Sequence, residues 1–243
     1  MSEWAPRRFW QDAQTVPAEG GHTVTLDDKP VRTPAKARLI VPTQPLAAAI
    51  AEEWMAQGER IDPGTMPFTR MANSAIDKVA PQRAEVADML AAYGDSDLLC
   101  YRAEAPDALV ARQQEQWDPM LDWAADTLGA RLQPRAGVMH APQPRPALDA
   151  LAARVHALDA FTLAAFHDLV ALSGSLVLGF AAIHRVRPVD ELWTLSRLDE
   201  SWQEEQWGAD EEAEEVAGIK REAFLHAARF YRLATGFQPE GRD

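Results

Sequence analysis

Few residues of this chain are of types that carry chemistry, and their spacing gives them little to do. The six histidines, at positions 22, 140, 156, 167, 184 and 226, never fall into an HExxH pattern or beside paired carboxylates at a metal-site spacing. Glu222 and His226 stand four apart, which on a helix makes them neighbours, suited to an ordinary exposed pair or to sharing a metal. Ser173-Gly174-Ser175 lacks the GxSxG frame of a nucleophile turn, and its small residues suit close helix approach within one buried helix. Gly174 and Gly179 are not followed by Lys-Ser/Thr, and no GxGxxG occurs, so no phosphate loop is present. Cys100 is the single cysteine, which excludes an intramolecular disulfide and a thiolate metal cage. Arg102 nearby would favour a thiolate, but the Leu-Leu-Cys-Tyr setting predicts a buried, inert thiol. No catalytic residue, metal site or cofactor is assigned on these grounds, and the chain is read as not an enzyme.

Charge is where the sequence speaks more clearly. From Leu198 to Ile219 the chain carries Asp199, Glu200, Glu204, Glu205, Asp210, Glu211, Glu212, Glu214 and Glu215, with no Lys, Arg or His among them. Trp193, Trp202 and Trp207 lie in or beside this window, Trp202 in an apolar phase shared with Leu195 and Leu198 that also suits the core. Acids at a helix start favour it through the helix dipole, and a charge run is commonly a solvated face, which suffices for Glu211 to Glu215. Glu200 and Glu204 are different: like charges four apart destabilise a helix slightly, and the Trp207-Gly208 helix end follows them. Acids ringing large aromatics suit a docking surface for a basic or apolar patch of another protein.

The elements that must position these residues follow from composition and period. The chain has 243 residues, 47% hydrophobic and 25% charged, enough apolar material for one large domain or two modest ones. Lys and Arg number 24 against 37 Asp and Glu, a formal charge of −13, which opposes binding to nucleic acid or anionic membranes. The segment Met1 to Trp10 has no apolar stretch of a secretory signal, and the apolar run Leu169–Ile183, about fifteen residues, falls short of the roughly 20 that a membrane span needs. It is read as a buried core helix, and a reducing, cytoplasmic compartment is expected.

Residues 1–42 read as a small antiparallel β-rich domain: near-alternation in His22-Thr23-Val24-Thr25-Leu26, short apolar segments between prolines and glycines, and Asp27-Asp28 as a hairpin turn. Residues 43–243 read as a larger α-helical domain, an α+β arrangement overall. Thr43 is the expected cap of its first helix. Pro119 predicts a kink or split in the long pattern that opens at Pro106-Asp107. Gly137–His140 suggests a lone strand able to pair with Leu98–Tyr101 or to extend the N-terminal sheet. Further helices are expected over about 147–157, 159–171, 173–186, 188–207 and 210–234, the last with an apolar stripe at positions 216, 219, 223, 224, 227, 230 and 231.

Taken jointly, several segments resemble the ATP synthase F1-sector assembly chaperones that bind the alpha subunit. They are Arg8-Phe9-Trp10, Leu26-Asp27-Asp28-Lys29-Pro30-Val31-Arg32-Thr33-Pro34, Val41-Pro42-Thr43, Glu53-Trp54, Met66-Pro67, Ala75-Ile76-Asp77, Asp97-Leu98-Leu99-Cys100-Tyr101-Arg102 and Gln116-Trp117-Asp118-Pro119. Glu200-Ser201-Trp202-Gln203 with Trp207-Gly208 completes the set. The resemblance implies an N-terminal β domain with a C-terminal helical domain, and a non-catalytic chaperone, monomeric when free. Such a chaperone would shield the alpha subunit's interface until beta displaces it, in the bacterial cytoplasm for this chain and in the mitochondrial matrix for its eukaryotic relatives. It points to Glu200, Trp202, Gln203, Glu204 and Trp207 as the partner-binding residues. A stable adaptor or structural subunit using the same acidic, tryptophan-bearing surface is the alternative.

Overall fold

Residues 7–236 are described by a computed structural model. The part of the N-terminal reading that concerns Met1 to Pro6 lies outside the described residues. The chain divides into two compact units. One takes in the described residues up to Arg83, Asp159–Ala165 and those from Arg229 onward, and the other comprises Ala84–Leu158 and Phe166–Ala228.

The first unit begins with antiparallel strands. β1 (Ala13–Ala18) and β2 (Gly21–Leu26) pair with Ala13 opposite Leu26 and Ala18 opposite Gly21. β3 (Lys29–Pro30) returns along β2 after Asp27 and Asp28, whose positive φ angles of 45° and 67° make the mirror-type turn that matches strand twist. Asp27 also closes the open end of the hairpin, its carboxylate accepting from the Gln11 and Asp12 amides at 3.0 and 2.9 Å. β4 (Ile40–Val41) pairs with β2 as well. Gly21 is required there: at φ 151° a Cβ would lie 2.2 Å from the Val41 carbonyl oxygen.

At Thr43 the period changes, and its hydroxyl caps α1 (Gln44–Met55) by accepting from the Leu46 amide at 3.3 Å. The same hydroxyl donates to the Leu233 carbonyl at 2.5 Å. The next helix, α2 (Pro67–Ser74), has no side-chain cap of its own at Met66. Glu53 supplies one from α1: its carboxylate accepts from the Phe68 and Thr69 amides at 2.6 and 2.7 Å and from the Thr69 hydroxyl. Desolvation raises the Glu53 carboxyl above its ordinary pKa, against those hydrogen bonds and the nearby Arg70 charge. Phe68 then stacks on Phe230, ring centroids 6.3 Å apart.

Helices dominate from there on: α3 (Arg83–Ala91), α4 (Asp107–Leu128), α5 (Arg145–His156), α6 (Ala160–Ser173), α7 (Leu176–Ile183), α8 (Val189–Ser196), α9 (Leu198–Trp207) and α10 (Glu211–Ala234). Two short strands, β5 (Tyr101–Arg102) and β6 (Arg135–Ala136), pair in parallel as a separate two-stranded sheet and do not extend the N-terminal one. The strand lies just before Gly137, not over Gly137–His140. α4 stays one helix through Pro119, because Trp117, Met120, Leu121 and Ala124 are buried on both sides of it.

The apolar run read as one buried helix is split where the expected helices over 159–171 and 173–186 meet, and the expected helix over 188–207 is divided as well. The run Leu169–Ile183 breaks at Gly174, whose φ of 69° ends α6, and Ser175 caps α7 by accepting from the Leu178 amide at 3.0 Å. Close approach is real within that corner: a Cβ on Gly179 would meet Val170 Cγ2 at 2.7 Å. The expected helix over 188–207 is broken at Arg197, with φ −111° and ψ 16°, into α8 and α9. Asp97, fully buried, holds the first of these corners. Its carboxylate accepts from the Leu99 amide at 3.0 Å, the Ser175 hydroxyl at 2.7 Å and the Val177 amide at 3.0 Å.

Candidate functional site

α9 is held in place through α4. Trp117, fully buried on α4, donates from its indole to the Leu195 carbonyl at 2.9 Å, fixing the end of α8. Gln113, 1% exposed, accepts from the Ala103 amide at 2.8 Å and donates to Asp199 at 2.6 Å, so the first acid of the window is consumed in positioning α9. Arg112 carries the contact outward. Its guanidinium lies 4.7 Å from the centroid of the Trp202 ring and donates to Glu205 at 2.7 Å. The Arg112 hydrogen bond holds the Glu205 carboxyl below its ordinary pKa, and the same bond raises that of Arg112.

The five residues singled out in the sequence have different surroundings. Glu200 accepts from Arg197 at 2.6 Å, one turn back, with its side chain about half exposed. Trp202 is partly buried beneath Arg112, so its apolar phase leads to a covered surface position and not to the core. Gln203 is exposed, and Glu204, partly buried, makes no ion pair among the described residues. Trp207 is 80% exposed at the C-terminal end of α9, which Gly208 terminates at φ 92°. A side chain of a type that buries about 150–250 Å² when covered is thus left almost bare in water.

Beyond Gly208, Asp210 caps α10 by accepting from the Glu212 and Ala213 amides at 2.9 and 3.2 Å. The apolar stripe expected along α10 is buried only in its second half, where Phe224, Ala227 and Phe230 have no exposure. Val216 and Ile219 are 45% and 65% exposed. Elsewhere, Cys100 is buried and its thiol is pushed up to about 12, first by burial and then by the Asp97 charge, with Arg102 opposing. Glu222 pairs with Arg221 at 2.8 Å, and among the described residues no three His, Cys, Asp or Glu side chains are grouped to hold a metal.

Comparison with known proteins gives this surface its setting. A family profile described as ATP12 chaperone protein matches residues 7–125. The crystal structure of Atp12 from Paracoccus denitrificans is 52% identical, with 96% of this chain and 100% of that chain covered at a TM-score of 0.93. The chain belongs to the ATP12 chaperone family. An aspartate-to-lysine mutant of the Paracoccus protein superposes equally well. A candidate chaperone from Agrobacterium tumefaciens is 44% identical, covering 93% of this chain and 85% of that one, with a TM-score of 0.88. Among curated proteins, Protein atp12, mitochondrial, of Schizosaccharomyces pombe is 25% identical over 222 residues, 86% of this chain and 76% of that protein.

Most of the residues that carry the ATP12 resemblance are used by the framework. Arg8 donates to the Gln57 and Met55 carbonyls at 2.7 and 3.1 Å. Asp27 closes a hairpin and Thr43 and Glu53 cap helices. Asp97 ties a corner, and Asp118 pairs with Arg102 at 2.7 Å. On α9, Gln203 and Trp207 are exposed members of the set that serve no such use among the described residues. The sequence did not single out Arg112 and Gln113, which organise α9 from about 90 residues away; nothing local in the sequence marks them.

Proposed function

We propose that this ATP12-family chain binds the free alpha subunit of F1-ATPase through α9, with Glu200, Trp202, Gln203, Glu204 and Trp207 in the contact, and yields it when the beta subunit arrives. Family membership carries the function: the chain is an assembly chaperone for the alpha subunit. The choice of surface is supported by Trp207, whose exposure at a helix end has no structural use. An alpha subunit without beta exposes an obligate-type interface, more apolar than ordinary surface and prone to aggregate. A chaperone that covers it with a few aromatic anchors inside a polar rim can be displaced by the larger, better-fitting authentic partner.

Co-expression with the alpha subunit alone, followed by size-exclusion chromatography, tests the reading. A soluble one-to-one complex that dissolves on adding beta is expected; a stoichiometric place in the finished ATP synthase would favour the adaptor reading instead. Glu200→Lys reverses the charge of a half-exposed side chain and turns its pair with Arg197 into a repulsion. Binding should weaken about tenfold with the thermal transition little changed. Normal binding by that variant at physiological salt would remove Glu200 from the contact.

A further inference from the structure

We infer that the exposed first turns of α10, from Glu211 to Ile219, form a second arm of the docking surface, and that this arm receives a basic segment of the alpha subunit bearing apolar side chains on one face. The inference rests on the chaperone reading above. Two independent features of α10 support it. Val216 and Ile219 are three apart, so they share one helix face, and both are exposed although the same stripe has no exposure at Phe224, Ala227 and Phe230. Around them stand Glu211, Glu212, Glu214 and Glu215, all exposed and none ion-paired among the described residues.

The acids are also unrelieved within their own helix. Position by position, the residues three and four further on are Glu, Val, Ala, Gly or Ile, never a cation. Glu211 and Glu215 repel at the i,i+4 spacing. Asp210 caps the helix start and the helix dipole favours Glu211, Glu212 and Glu214 in the first turn, so these carboxylates stand exposed with no cation of their own helix beside them. An apolar pair inside a rim of unpaired carboxylates is complementary to a cationic, partly apolar peptide surface.

The charge also decides between occupants. A second copy of this chain docking by a two-fold axis would set the same glutamates against each other, and nucleic acid or an anionic membrane would be repelled outright. A basic protein segment is the occupant this chemistry fits. Trp207 of the first arm stands nine residues before Val216, and the helical rise from Asp210 to Val216 is about 9 Å. The two arms are thus adjacent along the chain, across the break at Gly208.

The test uses the full chain and purified alpha subunit as probe, with affinity measured at low and high salt. Replacing Glu211, Glu212, Glu214 and Glu215 by Gln should weaken binding about tenfold at low salt, and the difference should shrink as salt rises. Val216→Ser with Ile219→Ser should weaken it at least about fivefold and leave the salt dependence as in the parent. All these side chains are exposed, and circular dichroism and thermal melting check that both variants fold. If both bind within about twofold of the parent while Glu200→Lys fails, the α10 arm is overturned and the α9 reading stands. If the parent itself does not bind the alpha subunit, both fall. A dimer of the parent that dissociates in the Val216/Ile219 variant would assign the arm to self-association and overturn the inference.

Discussion

Asp97 has no exposure, yet an amide two residues ahead, a hydroxyl and an amide of the Ser175–Val177 segment all converge on its carboxylate. Burial raises its pKa against the pull of those hydrogen bonds, so its contribution to stability is one of connection and not of favourable charge. Asp97→Ala should lower unfolding free energy by about 3 kcal/mol or more, since three buried donors lose their acceptor at once. Denaturant titration measures this; a loss below about 1 kcal/mol would mean that the corner is held by packing alone. Cys100 sits three residues on, its thiol pushed from 9.0 to about 12. A folded pKa raised above the unfolded one contributes stability that is fully present below the unfolded value and is lost as pH rises toward the folded one. Stability should therefore fall between about pH 9 and 12 by up to about 1.4 kcal/mol per pH unit from this group, and Cys100→Ala should remove that component. At pH 8 the folded thiol should resist Ellman's reagent and react only on unfolding.

Helices and turns whose signals are local were legible, and those fixed by distant partners were not. Thr43 announced α1, and Asp27-Asp28 announced the hairpin, because cap and turn chemistry act over three or four residues. Glu53 capping α2, fourteen residues after its own position, and Arg112 covering Trp202 on α9 depend on tertiary placement, which periodicity does not encode. The boundary near Gly174 was legible in the separate spans 159–171 and 173–186, although the apolar run across it also reads as one helix; the break at Arg197 was hidden because apolar residues continue on both sides, so period alone reads one helix over 188–207. Trp207 was legible as a candidate because acids and a helix-ending glycine flank it, while the bareness of Val216 and Ile219 was not, since a regular stripe predicts burial along its whole length. Two glycines test the packing of these elements in opposite directions. Gly179→Ala would push a methyl group into Val170 and should cost about 1–3 kcal/mol by overpacking. Gly218 has an ordinary backbone and nothing within 4 Å of the place an alanine methyl would take, so alanine there should strengthen α10 by about 0.5–1 kcal/mol. Thermal melts of the two variants should move apart; a shift in the same direction would contradict the packing described.

The charge of the whole molecule is divided as sharply as its elements. In the unit that holds α9 and α10 as far as Ala228, Asp and Glu outnumber Lys and Arg about two to one, and this unit carries the entire formal charge of −13, while the two signs balance in the other. Such a field acts at a distance that single contacts do not, and over a Debye length of about 8 Å at physiological salt it raises encounter rates with a cationic surface. An apolar anchor, the role proposed for Trp207, acts only after contact, by slowing departure. The two contributions should therefore separate in kinetics. For binding to the alpha subunit, raising salt from about 50 to 500 mM should slow association about tenfold or more while dissociation changes by less than about threefold. Trp207→Ala should do the reverse, leaving association near its original rate and speeding dissociation. Surface plasmon resonance with immobilised alpha subunit measures both. If salt acted mainly on dissociation, the acids would be making tight, desolvated pairs in the complex, and the surface would be an ionic lock instead of a steered, apolar-anchored contact that beta can displace.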